Sequence, residues 1–187
     1  GVYRFGDGVE YPKVALRSGT LEEAGFDRAA FAEVDRIMAR AIRDSAFPGG
    51  VLLVARNGII AHHKPYGAYT YEPYAKRVER HTIYDLASVT KVIATTSAMM
   101  RLVSEGRVQL EEPVVKHLPQ FGQNGKEKIT LYNLLIHNSG LVGWRKFYEE
   151  CATPQCMLDS ILASPLAYRT GDTTIYSDLG LITLGKV

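Results

Sequence analysis

The chain has 187 residues, of which 46% are hydrophobic and 22% charged, and a formal net charge of +2. That length can bury a sizeable core in one domain or two small lobes, and the composition is ordinary for a globular protein. The balanced charge excludes the basic footprint of a nucleic-acid binder, and no apolar run is long enough to span a membrane as a helix.

Taken in order, residues 1–18 mix glycine, proline and charge without periodicity and read as an extended arm. The chain opens on Gly1, as a processed or cut start would. From Asp27, which can cap a helix, Phe31, Val34, Met38, Ala41 and Ile42 recur at helical spacing until Pro48-Gly49-Gly50. Residues 51–56 and 59–63 then flank Asn57-Gly58, the dipeptide suited to a two-residue hairpin because both turn positions need positive φ. Adjacent His62 and His63 point to opposite faces of the second strand, and the scattered histidines predict no metal site. Residues 67–79 are rich in turn residues and tyrosine and read as a loop between lobes.

A helix starts near Ser88, with Val89, Val92, Ile93, Met99, Met100 and Val103 forming an apolar face for the core and Gly106 at the C-terminal cap. The stretch Lys126-Glu127-Lys128 reads as a solvated face. Thr130 caps a short helix through Leu131, Leu134 and Leu135, which ends at His137-Asn138-Ser139-Gly140. Trp144, Phe147 and Tyr148 fall in a loop, where Trp144, like the tyrosines of 67–74, either lines a cleft or packs. Residues 157–162 form a helix ending before Pro165, and an apolar run at 179–184 follows Tyr176-Ser177-Asp178. Cys151 and Cys156 can form a local disulfide in an oxidising compartment or stay as two free thiols.

Ser88 and Lys91 stand three residues apart at a helix start, where side chains share a face. A lysine amine beside a serine hydroxyl is one way to make serine nucleophilic without histidine. The first turn adds unpaired N–H groups and a dipole that favour developing negative charge. Alone, the pair is a motif that chance can supply.

Three ordered motifs extend it: Ala87-Ser88-Val89-Thr90-Lys91, Leu134-Leu135-Ile136-His137-Asn138-Ser139-Gly140-Leu141, and Tyr176-Ser177-Asp178-Leu179-Gly180. Together they resemble the serine β-lactamase and penicillin-binding-protein family. The nearest branch is the class C-like one of β-lactamases, D,D-peptidases, D-amino-acid peptidases and carboxylesterases. The resemblance runs from about Gly19 to the end. It implies a mixed α+β fold of the β-lactamase/transpeptidase type, an antiparallel sheet flanked by helices plus a mostly helical lobe, here lacking the C-terminal strands. Residues 19–83 would begin the α/β lobe, 84–178 would form the helical lobe, and 179–187 would start the return to the α/β lobe.

The same resemblance implies that Ser88 is the nucleophile, Lys91 the neighbouring base and Tyr176 a proton relay opposite Ser88, with no cofactor and no metal. The substrate would be a small-molecule or peptide acyl compound (a β-lactam, a D-amino-acid peptide or a carboxylic ester), acylating Ser88 in the periplasm or outside the cell. Lysine serves as a base only if its pKa is lowered. The alternative is a non-catalytic binding or scaffolding module. An α/β-hydrolase finds no support, because no Gly-x-Ser-x-Gly elbow is present.

Two departures from the family pattern stand out. Asp178 occupies a position where β-lactamases of this branch usually carry Asn, so that a substrate-binding residue there lacks an amide donor. That tilts the reading toward peptidase-like or esterase-like members, unless Asp178 simply caps the next helix. The later Lys-Thr-Gly or His-x-Gly motif is missing, since Arg169-Thr170-Gly171 precedes Tyr176. One cleft wall, and the oxyanion N–H that would partner that of Ser88, would then come from a C-terminal chain completing the fold.

Overall fold

The computed structural model describes residues 15–187, which group into two compact units, residues 15–85 and residues 86–187.

In the first unit, helix α1 (Arg28–Arg43) begins where Asp27 accepts the Ala29 N–H, as the sequence predicts. Strands β2 (Gly49–Arg56) and β3 (Ile59–Gly67) pair antiparallel from Gly49 opposite Gly67 to Arg56 opposite Ile59. The turn between them has Asn57 at φ 53° and Gly58 at φ 75°, the two positive values that the hairpin needs. A short strand β1 (Arg17–Ser18) adds to the other edge of β3 in parallel, which makes the sheet mixed. It is the end of the expected N-terminal arm; residues 1–14 of that arm lie outside the described residues. Helix α1 is fastened to β3 by a polar chain: Tyr66 donates to Asp35 at 2.6 Å, Lys64 donates to the other Asp35 oxygen at 2.7 Å, and His62 lies 2.9 Å from the Tyr66 hydroxyl.

The second unit is built around Val114, Phe121, Ile129, Leu131, Leu134, Leu141, Ile161 and Leu179, all essentially inaccessible to solvent. A π-helical segment (Lys91–Thr96) runs into α2 (Ser97–Ser104). Thr96 and Ser97 donate their hydroxyls to the carbonyls of Lys91 and Val92, five residues back, which matches the wider winding. The expected apolar face is split. Met99 is buried and Val103 packs against the core, but Val89, Val92, Ile93 and Met100 are exposed. Helix α2 ends in a Schellman motif, with Arg107 N–H on Leu102 O and Gly106 at φ 67°.

Helix α3 (Leu131–Leu135) carries a reciprocal capping box between Thr130 and Asn133. Phe147, expected in a loop, is buried at the start of a one-turn helix α4 (Phe147–Glu150), where Glu149 and Glu150 suit the N-terminal dipole. Cys151 and Cys156 form a disulfide spanning the start of α5 (Pro154–Ala163). Lys126 corrects another expectation. Its neighbours Glu127 and Lys128 are exposed, but Lys126 is fully buried, donating from Nζ to Ser164 O at 2.5 Å while Asn124 donates to Ala163 O at 2.7 Å. The two side chains staple their loop to the end of α5, where free carbonyls and the negative end of the dipole receive a cation. The run after Tyr176, placed by resemblance at the return to the sheet, forms helix α6 (Asp178–Leu184), with Leu179, Leu181 and Leu184 in this unit's core.

Candidate active site

Ser88 sits in a tight turn in which the N–H groups of Val89, Thr90 and Lys91 reach back to the carbonyls of Leu86, Ala87 and Ser88 at 2.9, 3.1 and 3.1 Å. The preceding residue, Ala87, is left-handed at φ 43°. That conformation is uncommon for a residue with a Cβ, and such strain gathers at functional sites.

Lys91 follows one turn later and is the hub of the cluster. Its ammonium donates to Ser88 Oγ at 3.1 Å, pairs with Asp178 Oδ1 at 2.7 Å and lies 5.1 Å from the centre of the Tyr176 ring. All four residues proposed from the sequence are therefore gathered around one nitrogen. Asp178 is not the cap of α6: Ser177 is, accepting the Gly180 N–H at 3.2 Å, and Asp178 stands in the first turn with Oδ1 turned inward to Lys91. Oδ1 is buried and makes no hydrogen bond outside that ion pair.

The charges follow from this arrangement. Burial works against the Lys91 ammonium, but hydrogen bonds to Asp178 and Tyr176 outweigh it and hold its pKa above the ordinary lysine value. This is the opposite of what a lysine base needs. The Tyr176 phenol moves the other way: a hydrogen bond from Lys91, then one from Ser88, lowers its pKa. The ammonium also occupies a lone pair of Ser88 Oγ, which leaves the serine proton available to the phenol oxygen.

Tyr176 and Asp178 are held by the segment that the sequence reading takes as a helix end and as part of the second motif. Backbone carbonyls from 137–143 accept hydrogen bonds from the irregular stretch 167–177 and the first residue of α6: Ala167 N–H on Gly140, Gly171 N–H on Asn138, Ile175 N–H on His137, and Asp178 N–H on Gly143, at 2.8 to 2.9 Å. The Thr170 and Ser177 hydroxyls add bonds to Ser139 and Val142, both at 2.8 Å. Beside the Lys91–Asp178 pair opens a pocket of about 350 Å³, lined by Ala87, Thr90, Thr95, Leu181 and Ile182 among others. Trp144 is exposed, with its ring 6.4 Å from that of Tyr148.

The Beta-lactamase family profile matches residues 34–187. The chain belongs to this family. It is 34% identical over 195 residues to an N-acetylmuramyl-L-alanine amidase of Bacillus subtilis (strain 168), covering 89% of this chain and 42% of that protein. Among solved structures, a class C β-lactamase in complex with cefoxitin matches with a TM-score of 0.71 at 23% identity, over 84% of this chain and 43% of that one. The octameric penicillin-binding protein homologue from Pyrococcus abyssi matches with a TM-score of 0.71 at 22% identity, over 83% of this chain and 38% of that one. The fold is thus of the β-lactamase/transpeptidase type. The chain spans less than half the length of the curated relatives it matches.

Proposed function

We propose that this Beta-lactamase family chain carries the nucleophile of a serine acyl hydrolase, and that Ser88 is acylated by a peptide, amide, ester or β-lactam carbonyl. The observation that carries the reading is the Lys91 ammonium joined to Ser88 Oγ at 3.1 Å and to Asp178 at 2.7 Å. In this reading Tyr176, not Lys91, takes the serine proton. The acceptor is the Tyr176 phenolate: the lowered pKa makes that form more accessible, and the Lys91 ammonium, held protonated, stabilises it until it takes the serine proton.

Serine Oγ attacks the carbonyl carbon as its proton passes to the Tyr176 oxygen. The tetrahedral oxyanion collapses, the bond to the leaving group breaks, and the Tyr176 proton goes to that group. Water then attacks the ester on Ser88, giving its proton to Tyr176; the bond to Ser88 Oγ breaks, Tyr176 returns the proton to that oxygen, and the acid is released. Ser88 N–H would be one oxyanion donor. The second would come from a further segment of the natural protein, which would also cover the exposed Val92 and Ile93. The length of the relatives supports such a segment, and the amidase name of one relative favours an amide among the acyl donors.

The test is a fluorophosphonate label followed by peptide mapping. The reading requires modification at Ser88 in the complete natural protein and none after Ser88→Ala. A label retained after Ser88→Ala would refute it.

A further inference from the structure

Helices α2 and α3 both end in a left-handed residue, but different residues fill the position. Gly106 ends α2 at φ 67°, with no heavy atom within 4 Å of where a Cβ would be. At the end of α3 the residue is His137, at φ 60°. Glycine or asparagine suits this position best, so an imidazole here is unnecessary for stopping the helix.

Its contacts show what else it does. The His137 carbonyl accepts the Ile175 N–H at 2.9 Å, and His137 Nδ1 accepts the Ser177 N–H at 3.1 Å. One residue thus grips the backbone on both sides of Tyr176. Its ring also lies 4.7 Å from the Tyr176 ring, centre to centre, at an interplanar angle of 39°. The Tyr168 hydroxyl adds a bond to the same carbonyl at 3.3 Å. Because Nδ1 is an acceptor, the neutral ring carries its proton on Nε2. Burial, and then the Lys91 charge, lower the His137 pKa and keep the ring in this neutral form.

We infer that His137 is a positioning residue, which fixes the Tyr176 phenol against Ser88 and Lys91 by bracketing its backbone and packing on its ring. The inference rests on the acyl-transfer reading for its catalytic meaning, but its geometric content stands independently. Tyr176 is half exposed, and on the other side Ser88 bonds its hydroxyl while the flexible Lys91 side chain bonds that hydroxyl and lies over the ring. A phenol displaced by an ångström would lose the near-attack arrangement.

Two variants of the complete natural protein separate this role from helix stopping. His137→Gly removes the ring and the acceptor while relieving the backbone. His137→Asn also tolerates left-handed φ and returns an acceptor oxygen at the place of Nδ1. One readout is the maximal rate and half-saturating concentration of fluorophosphonate labelling at Ser88. The other is the titration of the Tyr176 phenol, followed by NMR of ring-labelled tyrosine and assigned with Tyr176→Phe. The groups facing that phenol are Lys91, Ser88, Asp178 and His137.

For His137→Gly, the maximal labelling rate should fall about 10- to 100-fold with little change in half-saturation, and the phenol should titrate higher. His137→Asn should recover most of both. An unmoved titration and rate in His137→Gly, or no recovery in His137→Asn, overturns the inference. If wild-type Ser88 takes no label, the acyl-transfer reading falls, and the phenol titration alone then decides the positioning role.

Discussion

Gly140 offers the most direct test of the scaffold that presents Tyr176. It lies at φ +94°, and a Cβ built on it would stand 2.5 Å from the Tyr168 carbonyl oxygen and 3.1 Å from Leu166 Cδ2. Alanine there meets two separate penalties. A left-handed conformation costs a residue with a Cβ about 1–2 kcal/mol, and forcing a methyl against a backbone atom adds about 1–3 kcal/mol. The backbone can retreat only by stretching the Ala167 N–H bond to the Gly140 carbonyl, 2.8 Å long, which gives back about 1 kcal/mol of hydrogen bonding. Gly140→Ala should therefore destabilise by about 2–5 kcal/mol. Gly106→Ala is the matched control: its φ is +67° with no neighbour within 4 Å, so it should cost only the conformational part, about 1–2 kcal/mol. Urea unfolding of both variants, followed by circular dichroism, gives the difference. Gly140→Ala should also slow labelling of Ser88, because its segment carries the bonds to Ile175, Ser177 and Asp178. If Gly140→Ala costs no more than Gly106→Ala, the close approach of the two segments is wrong, and with it the account of how Tyr176 is placed.

Three further outcomes are expected. In Asp178→Asn the anion beside Lys91 is lost, so burial is less opposed and the lysine pKa falls; the active form needs that ammonium, so the alkaline limb of kcat/KM should move to lower pH, and an unmoved limb would refute the assignment. Burial holds the Lys126 pKa below its ordinary value, so the unfolded chain binds its proton more tightly. Stability should then rise with pH on approach to the ordinary lysine value of about 10.4, and Lys126→Met should lose that slope in urea titrations at several pH values. Cys151 and Cys156, five positions apart, should appear cross-linked in unreduced peptide maps, and their joint replacement by serine should lower stability by about 2 kcal/mol through loop entropy; two free thiols in the map would contradict the bond.

What was legible in the sequence is what local chemistry decides. Asp27 and Thr130 cap the helices they precede, Asn57-Gly58 makes the hairpin turn, and Gly106 ends α2, because each acts within one turn of chain. The elements that escaped depend on distant partners. Strand β1 exists through its pairing with Ile59 and Ile60, and its two residues carry no pattern of their own. Lys126 looks like any surface lysine until Ser164 and the end of α5 cover it. The π winding of residues 91–96 is likewise invisible in the apolar spacing, since the same letters fit a regular helix.

The site divides in the same way. Its residue types were readable because the spacing of Ser88 and Lys91 is local and the order of the motifs is explicit. The protonation states were not, because they are set by groups far apart in the chain. Read as a letter, Asp178 in place of Asn is the loss of an amide donor. In three dimensions its buried oxygen is 2.7 Å from the Lys91 nitrogen, so the exchange adds a negative charge where the lysine charge would otherwise be opposed only by Tyr176. A lysine so paired is a poor base and a good electrostatic anchor. In the proposed mechanism the proton-accepting role then falls to Tyr176, whose pKa the same ammonium lowers through a hydrogen bond. If that is the consequence of the aspartate, Asp178→Asn and Tyr176→Phe must act on different limbs of the pH profile. The first shifts the alkaline limb set by Lys91; the second removes the acid limb, where the phenol must lose its proton, and lowers kcat by about 10²- to 10⁴-fold.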